Sequence, residues 1–279
     1  MKFFRFASVT KKITLALMGA FLLVFLLLHG AINLCLLRDD GGEWFSAAAH
    51  FMGTNWIVKV MEIVLMAAFV IHITLAIILQ IQNWLARPVR YHVSTKSKTS
   101  FGSRLMIYTG IMVLIFLCIH FMDFYFVKLG LVDGKYQVEI KQLQKIGSDT
   151  TKIDMQAVRA NWALLQTKSN EDKTGFHDLS KAEIKQIFGE NFKEYEPDFY
   201  LMAKEKFRNL WYVALYIILI FALGLHLNHA LQSAFQTLGL NHRKYTKFIK
   251  LFSTAYALLI VGIFAIIPAW IYFFDVLLK

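Results

Sequence analysis

The sequence predicts an all-α integral membrane protein, a bundle of five transmembrane helices with a long outer-side insertion between the third and fourth. Three observations predict it. The chain is 57% apolar with a mean hydropathy of +0.49, outside the range of soluble globular domains. Five apolar runs each reach the roughly 20 residues that cross a bilayer as a helix. The links between them alternate between basic and non-basic, as the positive-inside rule requires of a multi-pass chain.

The first run, Ile13–Leu37, comes after the basic segment MKFFRFASVTKK. That segment resembles a signal-peptide n-region, but the run is too long for an h-region and has no small-x-small cleavage site after it. It reads as a retained first helix. A short polar link, Arg38 to Asn55, carries RDDGGEW and is acidic on balance. The second run, Trp56–Leu85, leads through RPVRYHVSTKSKTSFGSR to the third, Leu105–Leu129. The fourth and fifth, Leu210–Leu238 and Phe248–Leu278, are joined by GLNHRKYTK. Lys2, Arg5, Lys11 and Lys12 precede the first run. Arg87, Arg90, Lys96, Lys98 and Arg104 lie between the second and third. Arg243, Lys244, Lys247 and Lys250 lie between the fourth and fifth. Five crossings put these three groups on one side, which the rule makes cytoplasmic. The net charge of +11 is therefore read as topology and contact with membrane lipid, not as nucleic-acid binding.

Between the third and fourth runs lies the polar insertion, Gly130 to Arg208. Ser180-Lys-Ala-Glu183 has capping-box form before KQIF, and Met155–Gln166 is compatible with a helix. Two readings stand for it, a small folded cap on the outer face and a mobile insertion.

The chemistry lies in four histidines. His29, His72, His120 and His226 each sit in a different apolar run. An imidazole in hydrocarbon is costly unless paired or bound, so each is a candidate functional residue. Helical rise places His29 and His120 about 12–14 Å below the outer charges at Arg38 and Lys128. It places His72 and His226 about 9–12 Å from Gln80 and Gln232, taken as the inner polar edge. The pairs are His29 with His120 and His72 with His226, which implies two metal centres at two levels. Neutral imidazole is a good axial ligand for haem iron, and filling both axial positions leaves no site for oxygen or substrate. Gly19 and Gly110 precede His29 and His120 at the same spacing. They suit either close approach of a flat ring or ordinary helix–helix packing.

At this point the chain resembles a known family. LLLHGAIN, FSAAAHFMG, VIHITLAI, YTGIMVLIFLCIHF and LHLNHALQSAF resemble the cytochrome b subunit of succinate:quinone oxidoreductases, in its single-anchor, five-helix, two-haem branch. The resemblance covers the helices and most short links. It implies two b haems, the outer held by His29 and His120 and the inner by His72 and His226. It implies a flavoprotein subunit and an iron–sulfur subunit docked on the cytoplasmic face of a bacterial inner membrane. It also implies electron exchange with a quinone, usually menaquinone. The chain carries no dinucleotide-binding glycine motif and no cysteine cluster, so flavin and iron–sulfur chemistry would reside in those partners. Two features depart from the family. The insertion is longer than expected, and Gly224 stands where some fumarate reductases carry a proton-transferring Glu.

Other residues carry less. His229 is an alternative ligand to His226, which the segment match favours. Glu43, Trp44 and His50 in the outer link are quinone-site candidates, since quinone chemistry needs a proton donor or acceptor beside the electron carrier; interfacial anchoring is the plain alternative. Glu62 is a further candidate. Lys11, Lys12 and Arg104 suit haem propionates or anionic lipid. His92, His177 and His242 sit in polar loops. Cys35 and Cys118 offer no disulfide framework and no c-type haem attachment, and read as packing residues. Three rival functions remain: the cytochrome b anchor of a hydrogenase or formate dehydrogenase, a transporter or channel, and a haem-free structural anchor.

Overall fold

The computed structural model describes residues 8–86, 101–140, 143, 153–169, 175–193 and 195–278. Lys2, Arg5, Arg87, Arg90, His92, Lys96 and Lys98 lie outside the described residues, as does the side chain of Arg104. Among the described residues five helices are long and apolar enough to cross a membrane: span 1, Val9–Leu37; span 2, Trp56–Leu85; span 3, Leu105–Lys128; span 4, Leu210–Thr237; and span 5, Thr246–Leu277. The chain is a multi-pass membrane protein, and the five expected runs are the five spans. Only helices satisfy every backbone donor and acceptor within one apolar segment. By contacts the chain divides into two units, Met1–Phe116 with Trp211–Phe273 and Leu117–Leu210 with Phe274–Lys279.

In the first unit, span 4 carries a buried stripe at Val213, Tyr216, Ile220, Leu223 and Leu227. The alternating spacing of three and four residues keeps these on one helical face. Leu223, Leu227 and Leu231 cluster with Leu23 of span 1 and with Tyr256, Ala257 and Ile260 of span 5. The Tyr256 hydroxyl donates to the Leu23 carbonyl. Gly224 sits at a close approach of spans 4 and 5, since a Cβ built on it would lie 2.3 Å from Val261 Cγ2. Small residues at such points let helices in lipid approach to van der Waals contact. Val261 fills the space that any longer side chain at this position would need.

The outer link differs from the expected polar connection. It contains a helix, Glu43–Thr54, started at Gly42 with φ of 90°. Asn55 ends that helix and caps span 2, its Oδ1 accepting from Ile57 N–H at 2.9 Å and Val58 N–H at 3.4 Å. A reversal this tight leaves no room for an unstructured loop.

The second unit contains the insertion, which folds around its own core and so favours the folded reading over the mobile one. It is not all-helical. Strands β1 (Tyr136–Glu139), β2 (Gly175–Leu179) and β3 (Glu196–Pro197) form an antiparallel sheet in the order β2-β1-β3. Tyr136, Val138, Leu165, Leu179, Ile184, Ile187 and Phe188 are buried together beside it. The strands are too short to show a period of two in the sequence. The expected helix Met155–Gln166 is two helices, Met155–Ala160 and Trp162–Thr167, broken at Asn161. The capping box is present: Ser180 Oγ accepts from Glu183 N–H at 3.2 Å, and Glu183 Oε2 accepts from Ser180 N–H at 2.7 Å. His177 is no idle loop residue, for its Nδ1 lies 2.8 Å from the buried Asp198 Oδ2.

This packing carries two expected outcomes. Gly224→Val should lower stability in detergent by about 1–3 kcal/mol, the usual cost of overpacking. Gly262→Val, where a Cβ meets nothing within 4 Å, should change it by no more than about 0.5 kcal/mol; thermal unfolding of the two variants compares them. Separately, the Ser180 N–H holds the Glu183 carboxyl below its usual value of 4.5, outweighing the opposing effect of burial. A depressed folded-state pKa stabilises above the unfolded value and ceases to do so as pH falls through the folded one. Pepsin cleavage of residues 175–193 in the full chain should therefore rise as pH drops below 4.5, and Glu183→Gln should flatten that rise.

Candidate functional site

The four histidines stand on four spans, each half-buried. Spans 1 and 2 run antiparallel, and Lys11 Nζ donates to Gln82 Oε1 at 3.3 Å where span 1 begins and span 2 ends. Lys11 is buried by this contact, at 7% exposure. Measured from it, Gly19 is about 12 Å and His72 about 15 Å along their helices. They are therefore nearly level, and they touch: a Cβ on Gly19 would lie 3.5 Å from His72 Cε1. Spans 3 and 4 repeat the arrangement. Phe116 meets Tyr216 edge-on with centroids 5.2 Å apart, and a Cβ on Gly110 would lie 3.5 Å from His226 Cε1. Each glycine thus faces the histidine of the next span. At this distance a methyl group makes ordinary contact, while a longer side chain meets the ring.

His72 and His229 both lie within electrostatic reach of His226. His72 and His226 stand on two different spans. Further along span 1 stands His29, and further along span 3 stands His120, each about 15 Å in helical rise from its glycine. His29 and His120 fall in different units, and each is described in its own surroundings. Phe25 stacks on His29 with centroids 5.2 Å apart, and Phe264 tilts toward it at 5.8 Å. Asn33 Nδ2 donates to the His29 carbonyl at 2.7 Å and lies 3.4 Å from His29 Nδ1. His120 is the last residue before a π-helical turn, Phe121–Tyr125, and its ring lies 5.2 Å from Phe124. Such turns interrupt helices most often at functional positions.

Sequence reasoning overlooked Thr109, which is buried beside Gly110. Its Oγ1 donates to the carbonyl of Leu105 at 3.2 Å or Met106 at 3.1 Å, and lies 3.4 Å from His226 Nδ1. A hydroxyl has one proton. With that proton on the backbone, the oxygen is left to accept from Nδ1–H of His226. That tautomer frees the Nε2 lone pair for a metal, the usual outer-shell arrangement of a ligating histidine. The signal was present in the sequence as a polar residue inside an apolar run. Among the described residues the group beside the buried His72 Nδ1 is the Leu15 backbone, at less than ideal hydrogen-bond geometry.

Among the described residues, no three His, Cys, Asp or Glu side chains converge as a metal cluster. A porphyrin iron does not need them, because the macrocycle supplies four of its six ligands. Imidazoles on separate spans, with His72 and His226 set against glycines, are donors that such a group accepts.

The outer-link candidates divide. In the helix Glu43–Thr54, Glu43 and His50 are seven residues apart and so share one face, while Trp44 is turned about 100° away. All three are exposed, and Arg38 lies over the Trp44 ring, 4.4 Å from its centroid. Trp44 and the exposed Phe51 share the apolar face, as interfacial aromatics do.

No protein-family model, curated protein or solved structure matches the chain.

Thr109→Val keeps the shape of the side chain and removes its oxygen. Nitrogen NMR of the histidine-labelled protein should then show His226 losing its preference for Nδ1–H; an unchanged tautomer would reject the role given to Thr109.

Proposed function

We propose that this chain is the di-haem cytochrome b membrane anchor of a succinate:quinone oxidoreductase, passing electrons between an iron–sulfur subunit and menaquinone. One observation carries the reading. Two helix pairs repeat one pattern, in which a glycine of the odd span faces the histidine of the even span and the odd span bears its own histidine about 15 Å further on. That pattern supports two levels of paired imidazoles, His72 with His226 and His29 with His120.

Haem held by these histidines would supply reversible one-electron storage. The chain's own residues do the rest. Thr109 orients His226, Gly19 and Gly110 keep the approach to His72 and His226 free of side chains, and the apolar spans exclude water. The basic links support an N-terminus in the cytoplasm of a bacterial cell and a cytoplasmic docking face for the iron–sulfur and flavoprotein subunits. Glu43 and His50, sharing one face of the outer helix, are the groups that would exchange protons with quinone. Gly224 leaves no place for a carboxylate beside His226, so a proton route through that position is not part of the proposal.

The test is haem stoichiometry by pyridine haemochrome on the purified chain. Two haems per chain are expected. His72→Ala or His226→Ala should remove one, and His29→Ala or His120→Ala the other, while His229→Ala should retain both. Gly19→Leu should behave as His72→Ala, and Gly19→Ala as the parent. A haem-free parent protein would refute the reading.

A further inference from the structure

We propose that the insertion is a positioning device for His120, acting through the ion pair Lys206–Asp123. The proposal rests on the haem reading and gives the insertion a role within it.

Spans 3 and 5 end alike. Each carries near its end a π-helical turn with an aspartate at its centre, Phe121–Tyr125 with Asp123 and Phe273–Leu277 with Asp275. One insertion helix, Phe199–Phe207, supplies a lysine to both. Lys206 Nζ lies 2.6 Å from Asp123 Oδ1, and Lys204 Nζ lies 3.2 Å from Asp275 Oδ2. The carboxylates are 10% and 9% exposed. Carboxylates this shielded favour a cation beside them, and the lysines that supply it keep 44% and 26% of their own side chains exposed.

The turn that carries Asp123 begins directly after His120. The same insertion helix grips it a second time, since Phe199 lies 6.5 Å from Phe124, which in turn lies 5.2 Å from His120. Val127, one residue after Phe126, is buried in the insertion core. The helix is itself anchored: Asp198 caps it by accepting from Leu201 N–H at 3.0 Å, and His177 Nδ1 holds the other carboxylate oxygen. A π-helical turn changes the azimuth of the residues before it relative to those after it. Holding Asp123 and Phe124 in place therefore sets the direction of the His120 ring. Lys206 is a positioning residue and touches no cofactor.

The experiment uses the full chain in membranes and compares Lys206→Met, Asp123→Asn and the reversed pair Asp123→Lys with Lys206→Asp. The readouts are haem content, the low-spin EPR g values of each haem, and amide exchange at 121–125. Both single variants should keep two haems, shift the highest g value of one and leave the other unchanged. They should also speed exchange across the turn, and the reversed pair should move both readouts back toward the parent. Two haems with unaltered g values in the single variants would overturn the inference while leaving the haem reading intact. A parent protein without haem would instead overturn the reading beneath it.

Discussion

A polar ring inside hydrocarbon sets the terms for this molecule. Each imidazole on a span has lost water and gains little from lipid, so its place in the chain depends on what it meets there. In the structure the rings meet glycine, threonine and phenylalanine. His72 lies against Gly19 and His226 against Gly110. The helix pairs around them must run antiparallel and level, because any slide along the axis would carry ring and glycine apart by about 1.5 Å per residue.

The bundle is not uniformly packed. Spans 4 and 5 interlock through Gly224 and Val261 and share the Leu223–Ile260 cluster. Spans 1, 2 and 3 bury far less of themselves. In water such exposure would be costly, but in lipid apolar side chains lose nothing by facing outward. Shape at a few small residues, not apolar area, therefore decides which spans touch. The same logic makes the absence of a side chain at Gly224 a packing requirement.

The insertion obeys the opposite rules. It is polar outside and apolar inside, with capped helices, an antiparallel sheet and ion pairs. Lys135 and Lys168 both bind Asp178, and Lys168 lies 3.7 Å from Glu183. Its pairs to Asp123 and Asp275 join these two chemistries at the ends of spans 3 and 5. Charged contacts belong there, where a helix leaves lipid and the neighbouring side chains remain shielded.

Much of the fold was legible in one dimension. Five spans, the polar insertion, the capping box at Ser180 and the placing of four histidines on separate spans can be read from the sequence alone, since hydrocarbon thickness and capping geometry act on neighbours in the chain. Helical rise also sets His72 and His226 at matching depths, the basis of the pairing proposed for them. What tertiary structure alone decided depends on groups far apart in sequence. Thr109 shows locally as a polar residue in an apolar run, but its choice of His226, the close contact of Gly224 with Val261, the registry of Tyr136 with Leu179 and Pro197, and the grip of Lys206 on Asp123 do not. Their partners are chosen by three-dimensional proximity, and a periodicity along one helix carries no record of the helix opposite.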